Sequence, residues 1–307
     1  MQRRALFGSL ASGLAGTALA GGGEAAPRPR PAETAPGRHF LDAGDGTSLF
    51  FKDWGSGPPV VFVSAWGLNS DAWVYEMTYL ADQGLRCVAY DRRGHGRSTQ
   101  PARGYDFDTL ADDLSVLLES LDLREVTLVG HSMGCAEVVR YLARYGGSRI
   151  ARAALVSTVT PCTVKTPENP DGVDRAALEA GRALLRRDFP RTVDEAAPGF
   201  FGPSNPVSPA TRSWWTGMIL QCSLPGLVTL HRAFTETDFT PELRALPLPT
   251  LLVHGDSDVS TPLARTGRRS AQLIPRSRLE VYPGAAHGLP LTHVDRLNAD
   301  LLAFARS

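Results

Sequence analysis

The stretch VTLVGHSMG, residues 126–134, decides the fold of this chain. Residues 126–129 form an apolar, β-branched run typical of a buried strand, and a helical pattern begins around Ala136. The pattern G-x-S-x-G lies between the two, and its glycines let a strand and a helix approach closely around a sharp turn. The stretch therefore predicts a strand, an elbow and a helix, with the hydroxyl of Ser132 projecting as a nucleophile.

Apolar runs alternate with helical patterns on both sides of this stretch. The clearest helix is predicted over residues 108–121, where leucines fall on one face and acidic side chains on the other. Further helices are predicted near residues 263–273 and from Val294. Strands are predicted over residues 48–52, 60–63, 86–90, 126–129, 153–156, 250–254 and 278–282. This order predicts an α/β fold with a mostly parallel, doubly wound sheet.

The alternation stops after residue 157 and resumes at residue 250. The intervening segment carries many prolines and helical patterns such as residues 175–187, but no obvious strand. Insertions that follow the C-terminal end of a strand lie where open α/β sheets bind ligands. We therefore expect a helical cap over residues 160–244, inserted after the strand near Ala153 to Val156, and a core formed by residues 39–159 and 245–307.

A serine hydroxyl needs a base to act as a nucleophile. His287 is the candidate base, because it stands on the loop after the predicted strand 278–282, a setting that the other histidines lack. The acid that orients it is expected between the serine and the histidine in the chain. Both Asp256 and Asp258 follow the strand 250–254; we assign the acid to Asp258 and a turn-stabilising role to Asp256.

Two backbone amides are candidates to stabilise an oxyanion beside Ser132. One is the amide of Met133, the residue after the nucleophile, and the other is the amide of Trp66 in the loop after strand 60–63. Aromatic side chains from this loop and from the cap are candidate walls of a substrate pocket, with a small core of the cap as the alternative for each. These are Trp66, Phe200, Phe201, Trp214 and Trp215.

The settings of Ser132, Asp258 and His287, together with DRRGHGRS over residues 91–98, resemble one branch of the α/β-hydrolase superfamily. That branch holds bacterial aryl esterases and cofactor-free haloperoxidases, also called perhydrolases. The likeness covers roughly residues 40–159 and 249–304, and the cap is not diagnostic. It implies the α/β-hydrolase fold, catalysis without a cofactor and a structural role for residues 91–98.

The same resemblance assigns the oxyanion amides to Trp66 and Met133, but this loop departs from the branch at two places. Ser64-Ala65 stands where many relatives have His-Gly. Gly67 stands where the haloperoxidase-type members usually have a proline after the tryptophan. Without the fixed φ of proline, the loop carbonyl thought to hold peroxide need not be oriented in the same way, so Gly67 weakens the peroxidase interpretation.

The resemblance and the residues together predict a carboxylic ester hydrolase that acts through an acyl-enzyme on small or aryl esters. A confined apolar pocket would favour acyl chains from acetyl to butyryl over longer ones. Two alternatives remain open: a perhydrolase that makes peracids on the same triad, and a ligand-binding receptor with little turnover. Acetate-dependent halogenation would identify the first, and thermal stabilisation by a ligand without product would identify the second.

The composition excludes some partners. The 307-residue chain has 32 basic and 32 acidic side chains, and this balance argues against a basic groove for nucleic acid. The four cysteines show no zinc spacing, so no metal site is expected. We expect buried free thiols, although an oxidising destination would leave a bridge between Cys162 and Cys222 open. The oligomeric state is left open.

The N-terminus has the profile of an export signal. Arg3 and Arg4 precede an uncharged run over residues 6–20 that ends in Ala-Leu-Ala. This twin arginine is similar to that of a Tat signal, so we expect a periplasmic or secreted protein. The alternative is a cytoplasmic protein with a frayed N-terminus. The run is too short for a stable membrane span, and residues 21–38, rich in Gly, Ala and Pro, are predicted to form a disordered linker.

Overall fold

Eight strands form one sheet in the computed structural model, which describes residues 39–307. The strands are β1 (Phe40–Asp42), β2 (Ser48–Gly55), β3 (Pro59–Val63), β4 (Arg86–Tyr90), β5 (Val126–His131), β6 (Ile150–Val156), β7 (Thr250–Gly255) and β8 (Ser277–Tyr282). Their order is β1-β2-β4-β3-β5-β6-β7-β8. Strands β3 to β8 pair in parallel, whereas β2 pairs antiparallel with both β1 and β4. The predicted mostly parallel α/β sheet is therefore confirmed.

Eleven α-helices accompany this sheet within the described residues. They are α1 (Val74–Asp82), α2 (Phe107–Ser120), α3 (Met133–Tyr145), α4 (Arg175–Arg187), α5 (Phe189–Phe201), α6 (Pro209–Leu220), α7 (Leu224–Glu236), α8 (Thr240–Ala245), α9 (Gly267–Leu273), α10 (Leu289–Thr292) and α11 (Val294–Ala305). No helix among residues 39–307 combines the length and the apolar character that crossing a membrane would need.

Two apolar clusters cover the two faces of the sheet. Strand β3 shows the division, because successive side chains of a strand point to opposite faces. Val61 and Val63 pack in the cluster that contains buried residues of α2 and α3. Val60 and Phe62 pack in the cluster that contains buried residues of α1 and α11. Helices therefore cover both faces, as the sequence predicted for a doubly wound sheet.

Helices α4 to α8 are inserted between β6 and β7 and form the helical cap. Their apolar residues, such as Phe200 and Trp215, form a third cluster that also includes Ala65 and Leu68 from the loop after β3. The cap therefore has a small core of its own, which meets the sheet at that loop. The fold prediction is confirmed in this respect. The predicted signal peptide and linker, residues 1–38, lie outside the described residues.

Candidate active site

Ser132 occupies the turn between β5 and α3 in a backbone conformation that non-glycine residues rarely adopt. Its φ is 55° and its ψ is −117°, a departure that typically costs on the order of 1–3 kcal/mol. The helix begins directly after it at Met133, earlier than the start predicted around Ala136. The turn is therefore tighter than the sequence indicated, and the amides of the first helical turn lie immediately beyond the serine.

The glycines on either side of this turn are required by close contacts. A Cβ atom added at Gly134 would lie 2.3 Å from the backbone oxygen of Val63 at the end of β3. One added at Gly130 would lie 2.7 Å from the backbone nitrogen of Cys135. Any side chain at these positions would push α3 away from the sheet. The G-x-S-x-G pattern thus sets the start of α3 directly against the end of β3.

His287 lies on the loop after β8, within hydrogen-bond distance of the serine. Its Nε2 is 2.9 Å from Oγ of Ser132, and its Nδ1 is 2.8 Å from Oδ2 of Asp258. A carboxylate can only accept, so Nδ1 carries the proton and Nε2 is free to accept from the serine hydroxyl. The structure thus brings the predicted serine, histidine and acid into one chain of hydrogen bonds, all three of them buried.

The two candidate acids have different surroundings. Oδ1 of Asp258 accepts the backbone N–H groups of Ser260 and Thr261 at 2.9 and 2.8 Å. Burial by itself would raise the pKa of Asp258, but the charge and hydrogen bonds of His287 and His254 hold it below its ordinary value. Asp256 instead accepts from the amide of Gly284 at 2.7 Å, on the next loop. It therefore lies in a turn-stabilising position, away from His287.

The amides of Trp66 and Met133 are available to a ligand. Among the described residues, neither amide donates to another protein group, and Met133 has the unsatisfied N–H of a first helical residue. The contact of Gly134 with the oxygen of Val63 keeps the start of α3 next to the loop that carries Trp66. Two donors on neighbouring segments can stabilise the negative oxygen of a tetrahedral intermediate.

A buried arginine, which the sequence analysis gave no chemical role, ties these segments together. Nη2 of Arg92 donates to the backbone oxygen of Ser64 at 2.8 Å, and its Nε donates to Glu137 of α3 at 2.6 Å. Burial lowers the pKa of Arg92 to about 10, which leaves the guanidinium charged at neutral pH. Arg92 therefore links the loop of Trp66 to the helix of Met133. In the sequence, the resemblance of residues 91–98 to the hydrolase branch implied a structural role for this stretch.

Two further histidines contact the same machinery. Nε2 of His95 lies 3.3 Å from the backbone nitrogen of Gly67, where it can accept from the residue after Trp66. Nε2 of His131, at the variable position of the elbow, lies 3.0 Å from the backbone oxygen of His287. Burial is the main cause that lowers the pKa of each to about 3, so both are neutral. Their contacts hold the loops on which Trp66 and His287 stand.

A cavity of about 230 Å³ opens beside Ser132. Of the predicted aromatic walls, Trp66, Phe200 and Trp215 line it. Phe201 lies behind them with its ring centroid 5.5 Å from Trp215, and Trp214 packs outward against Tyr75 at 6.3 Å. The structure therefore brings three of the five aromatic residues to the cavity. The remaining wall is mostly apolar: Ala65, Val159, Leu185, Val193, Ala196, Ile219 and Phe234, with Thr192, Ser260, Thr261 and His287.

Apart from His287, the described residues place no ionisable acid or base on the wall of the cavity. Among the described residues, no Asp, Glu, Lys or Arg lines it, and a charged ligand group placed there would lose its hydration without compensation. Residues 39–307 contain no cluster of side chains arranged to hold a metal ion. All four cysteines are buried and free: Cys87, Cys135, Cys162 and Cys222. The bridge that the sequence left open between Cys162 and Cys222 is not formed.

The chain is similar to known proteins in both sequence and structure. Residues 58–204 match the family described as alpha/beta hydrolase fold. A non-heme chloroperoxidase from Kitasatospora aureofaciens is 44% identical over 265 residues, which cover 85% of this chain and 96% of that protein. A bifunctional esterase/perhydrolase from Acinetobacter calcoaceticus is 39% identical, with coverages of 87% and 99%. The crystal structure of a bromoperoxidase from Bacillus anthracis matches with a TM-score of 0.84 at 36% identity, with coverages of 87% and 99%.

Proposed function

This chain belongs to the alpha/beta hydrolase family, in the branch that holds esterases and non-heme haloperoxidases, and from that premise we propose that it hydrolyses uncharged carboxylic esters. The observation that carries the proposal is the hydrogen-bonded chain from Ser132 through His287 to Asp258. This chain of hydrogen bonds ends at Ser132, which lines the apolar cavity. A related protein of this branch is named as an esterase and perhydrolase, which supports the same conclusion.

In the proposed reaction, Oγ of Ser132 attacks the ester carbonyl while Nε2 of His287 takes the hydroxyl proton. The amides of Trp66 and Met133 stabilise the negative oxygen of the tetrahedral intermediate. His287 then gives its proton to the departing alcohol, which leaves an acyl group on the serine. Asp258 stays ionised and stabilises the imidazolium in each step. A water molecule activated by His287 releases the acid and regenerates the enzyme.

The acyl group is proposed to occupy the 230 Å³ cavity. Its apolar wall stabilises a hydrocarbon chain by about 0.8 kcal/mol for each buried methylene that fits. A charged acyl group would lose its hydration in the same space, since His287 is the only ionisable group of the described residues on the wall. Neutral esters with short or aromatic acyl groups therefore fit this cavity better than half-esters of dicarboxylic acids.

A second candidate, perhydrolysis on the same triad, is favoured by relatives named as haloperoxidases. The backbone at Gly67, directly after Trp66, argues against perhydrolysis. Gly67 has a φ of 75°, and a proline ring holds φ near about −65°. The backbone at this position is therefore one that a proline cannot adopt. Relatives of the haloperoxidase type usually have a proline here, so the carbonyl that precedes it need not be oriented in the same way.

Two assays on the purified enzyme distinguish these functions. We expect rapid hydrolysis of neutral 4-nitrophenyl esters, together with little acetate-dependent halogenation in hydrogen peroxide. Ser132→Ala should lose ester turnover and labelling by a fluorophosphonate, because both reactions require the hydroxyl that acts as nucleophile. Strong halogenation with weak ester turnover would favour the perhydrolase. Ester turnover retained by Ser132→Ala would refute the assignment of the nucleophile.

A further inference from the structure

The hydroxyl of Thr261 lies at the junction of the acid and the base. Its Oγ1 is 2.9 Å from Oδ2 of Asp258 and 3.2 Å from Nδ1 of His287. It is also 3.3 Å from the backbone oxygen of Ser157, at the end of β6. The side chain is buried and forms part of the cavity wall. A single hydroxyl therefore contacts both partners of the bond that orients the catalytic base.

The hydrogen bonds at this junction can be counted. Nδ1 of His287 has one proton, and Oδ2 of Asp258 lies 2.8 Å away as its main acceptor. The hydroxyl of Thr261 has one proton, which it can donate to Oδ2 of Asp258 or to the oxygen of Ser157. Its oxygen lies 3.2 Å from Nδ1 and can accept a share of that proton. With the proton of His287 on Nδ1, all three groups have hydrogen-bond partners, and this is the tautomer that leaves Nε2 free for Ser132.

The backbone of Thr261, and not its side chain, fixes the turn in which it lies. The N–H groups of Ser260 and Thr261 already cap the turn through Oδ1 of Asp258. The backbone oxygen of Thr261 is held by Nε2 of His254 at 2.7 Å and by the hydroxyl of Thr266 at 3.1 Å. The turn is therefore fixed without the side chain of Thr261. The threonine hydroxyl remains as a group whose contacts are with the acid, the base and the backbone oxygen of Ser157.

We infer that Thr261 is a positioning residue of the catalytic triad. Its hydroxyl holds Oδ2 of Asp258 and Nδ1 of His287 in register. When His287 takes the proton of Ser132, the hydroxyl still donates to Oδ2 and keeps the carboxylate in place beside the imidazolium. The inference rests on the proposed ester hydrolysis, and Thr261 does not itself contact the reacting atoms.

The test compares Thr261→Val, which keeps the shape and removes the hydroxyl, with Thr261→Ser, which keeps the hydroxyl. Thr266→Val is the matched control, since it removes a buried hydroxyl from the same loop that does not touch the triad. Because hydrogen bonds to charged groups are among the stronger ones, we expect Thr261→Val to lower kcat about tenfold or more. KM should stay within about twofold, because the cavity keeps its volume. Thr261→Ser should retain most of kcat.

Two further readouts do not depend on turnover of an ester. The rate of fluorophosphonate labelling at Ser132 should fall in Thr261→Val and recover in Thr261→Ser. The far-downfield proton resonance of Nδ1 of His287 should shift or broaden in the valine variant alone. If the wild type labels but turns over no ester, the proposed function fails while these two readouts still test Thr261.

Three results would overturn the inference. The first is a kcat of Thr261→Val equal to that of the wild type. The second is an equal loss in Thr261→Ser, which would assign the effect to the methyl group. The third is an equal loss in Thr266→Val, which would assign it to the loop as a whole. Thermal denaturation of each variant separates a loss of folded protein from a loss of rate.

Discussion

Asp256 and Asp258 stand two positions apart in one turn, yet only one of them can serve the base. Asp258 is buried and lies 2.8 Å from Nδ1 of His287. Asp256 is exposed, and its carboxylate bonds to the amide of Gly284. Strand β7 ends at Gly255, so both acids lie in the turn beyond it, where side chains no longer follow the alternation of a strand.

Exchange of each acid for its amide tests this difference. Asp258→Asn should lower kcat by up to about four orders of magnitude, because an amide cannot stabilise the imidazolium and favours the wrong tautomer. Asp256→Asn should lower it far less, since the loss concerns one exposed turn. Steady-state kinetics on the same 4-nitrophenyl ester gives both values. Equal losses, or a larger loss at Asp256, would transfer the acid to that position.

The residues that contact the triad were not equally visible in the sequence. Ser132 and His287 could be assigned because a glycine pattern and a loop after a strand mark their positions. Thr261 and His131 carry no such local signal, because their roles depend on contacts across the fold, such as the 3.0 Å approach of His131 to the backbone oxygen of His287. Sequence order restricts which residues can meet, but it does not give the side-chain contacts within a loop.

At the scale of elements, the loop after β3 is held from three sides. Arg92 binds the backbone oxygen of Ser64, His95 faces the amide of Gly67, and the indole nitrogen of Trp66 donates to the oxygen of Leu227 in α7 at 2.9 Å. The loop after β4 and the cap together thereby fix the position of the Trp66 amide. Such fixed donors act without reorganisation when charge develops, which is the basis of oxyanion stabilisation.

Arg92→Lys and Arg93→Lys form a matched pair that tests this arrangement. The two arginines are adjacent, both buried and both ion-paired, but Arg93 bonds Asp113 and Asp45 and does not touch the loop of Trp66. Both variants should lower the melting temperature, since each weakens a buried ion pair. Only Arg92→Lys should also lower kcat, by about tenfold to hundredfold, if the Trp66 amide shifts. Equal kcat values in the two variants would show that the loop holds its position without Arg92.

The elements themselves were predicted unevenly. Helix α4 matches its predicted residues 175–187, because its apolar and charged positions follow the helical period closely. Strand β1 was not predicted, since it has three residues, is largely exposed and gains its structure from pairing with β2. The side of the cap that faces the cavity was also left open. That side depends on how α5 and α6 pack, which no single helix pattern specifies.

Substitution of two neighbouring tryptophans of the cap, Trp214 and Trp215, tests how the cavity limits substrate size. Trp215 lines the cavity, whereas Trp214 packs against Tyr75 outside it. Trp215→Ala should therefore move the preferred acyl length beyond butyryl, because the enlarged cavity can bury further methylenes at about 0.8 kcal/mol each. Trp214→Ala should leave the preference unchanged. Hydrolysis rates across 4-nitrophenyl esters from acetyl to decanoyl measure both variants, and a decanoyl optimum in the wild type would contradict a confined pocket.

For the whole molecule, burial determines how reactive the thiols are. All four cysteines are buried and free, and burial raises the pKa of Cys87, Cys135 and Cys222 to about 12 each. A thiol of such high pKa forms almost no thiolate, so it reacts slowly with oxidants. A folded chain of this kind can keep its cysteines intact in an oxidising compartment as well as in the cytoplasm, so the thiols leave the Tat-type export signal that we propose for the N-terminus to be tested directly.

Replacement of Arg3 and Arg4 by lysine tests that proposal. We expect the wild type in the periplasm or medium, with its N-terminus after Ala20 or within residues 21–38, and the doubly substituted chain in the cytoplasm. Replacement of Arg28 and Arg30 by lysine is the control, because it makes the same chemical change outside the twin pair. Mass spectrometry of each fraction locates the cut, and alkylation of the unfolded mature protein should count four free thiols. Wild-type protein recovered only from the cytoplasm with Met1 intact would refute export, and paired thiols in exported protein would show that it is oxidised on the way.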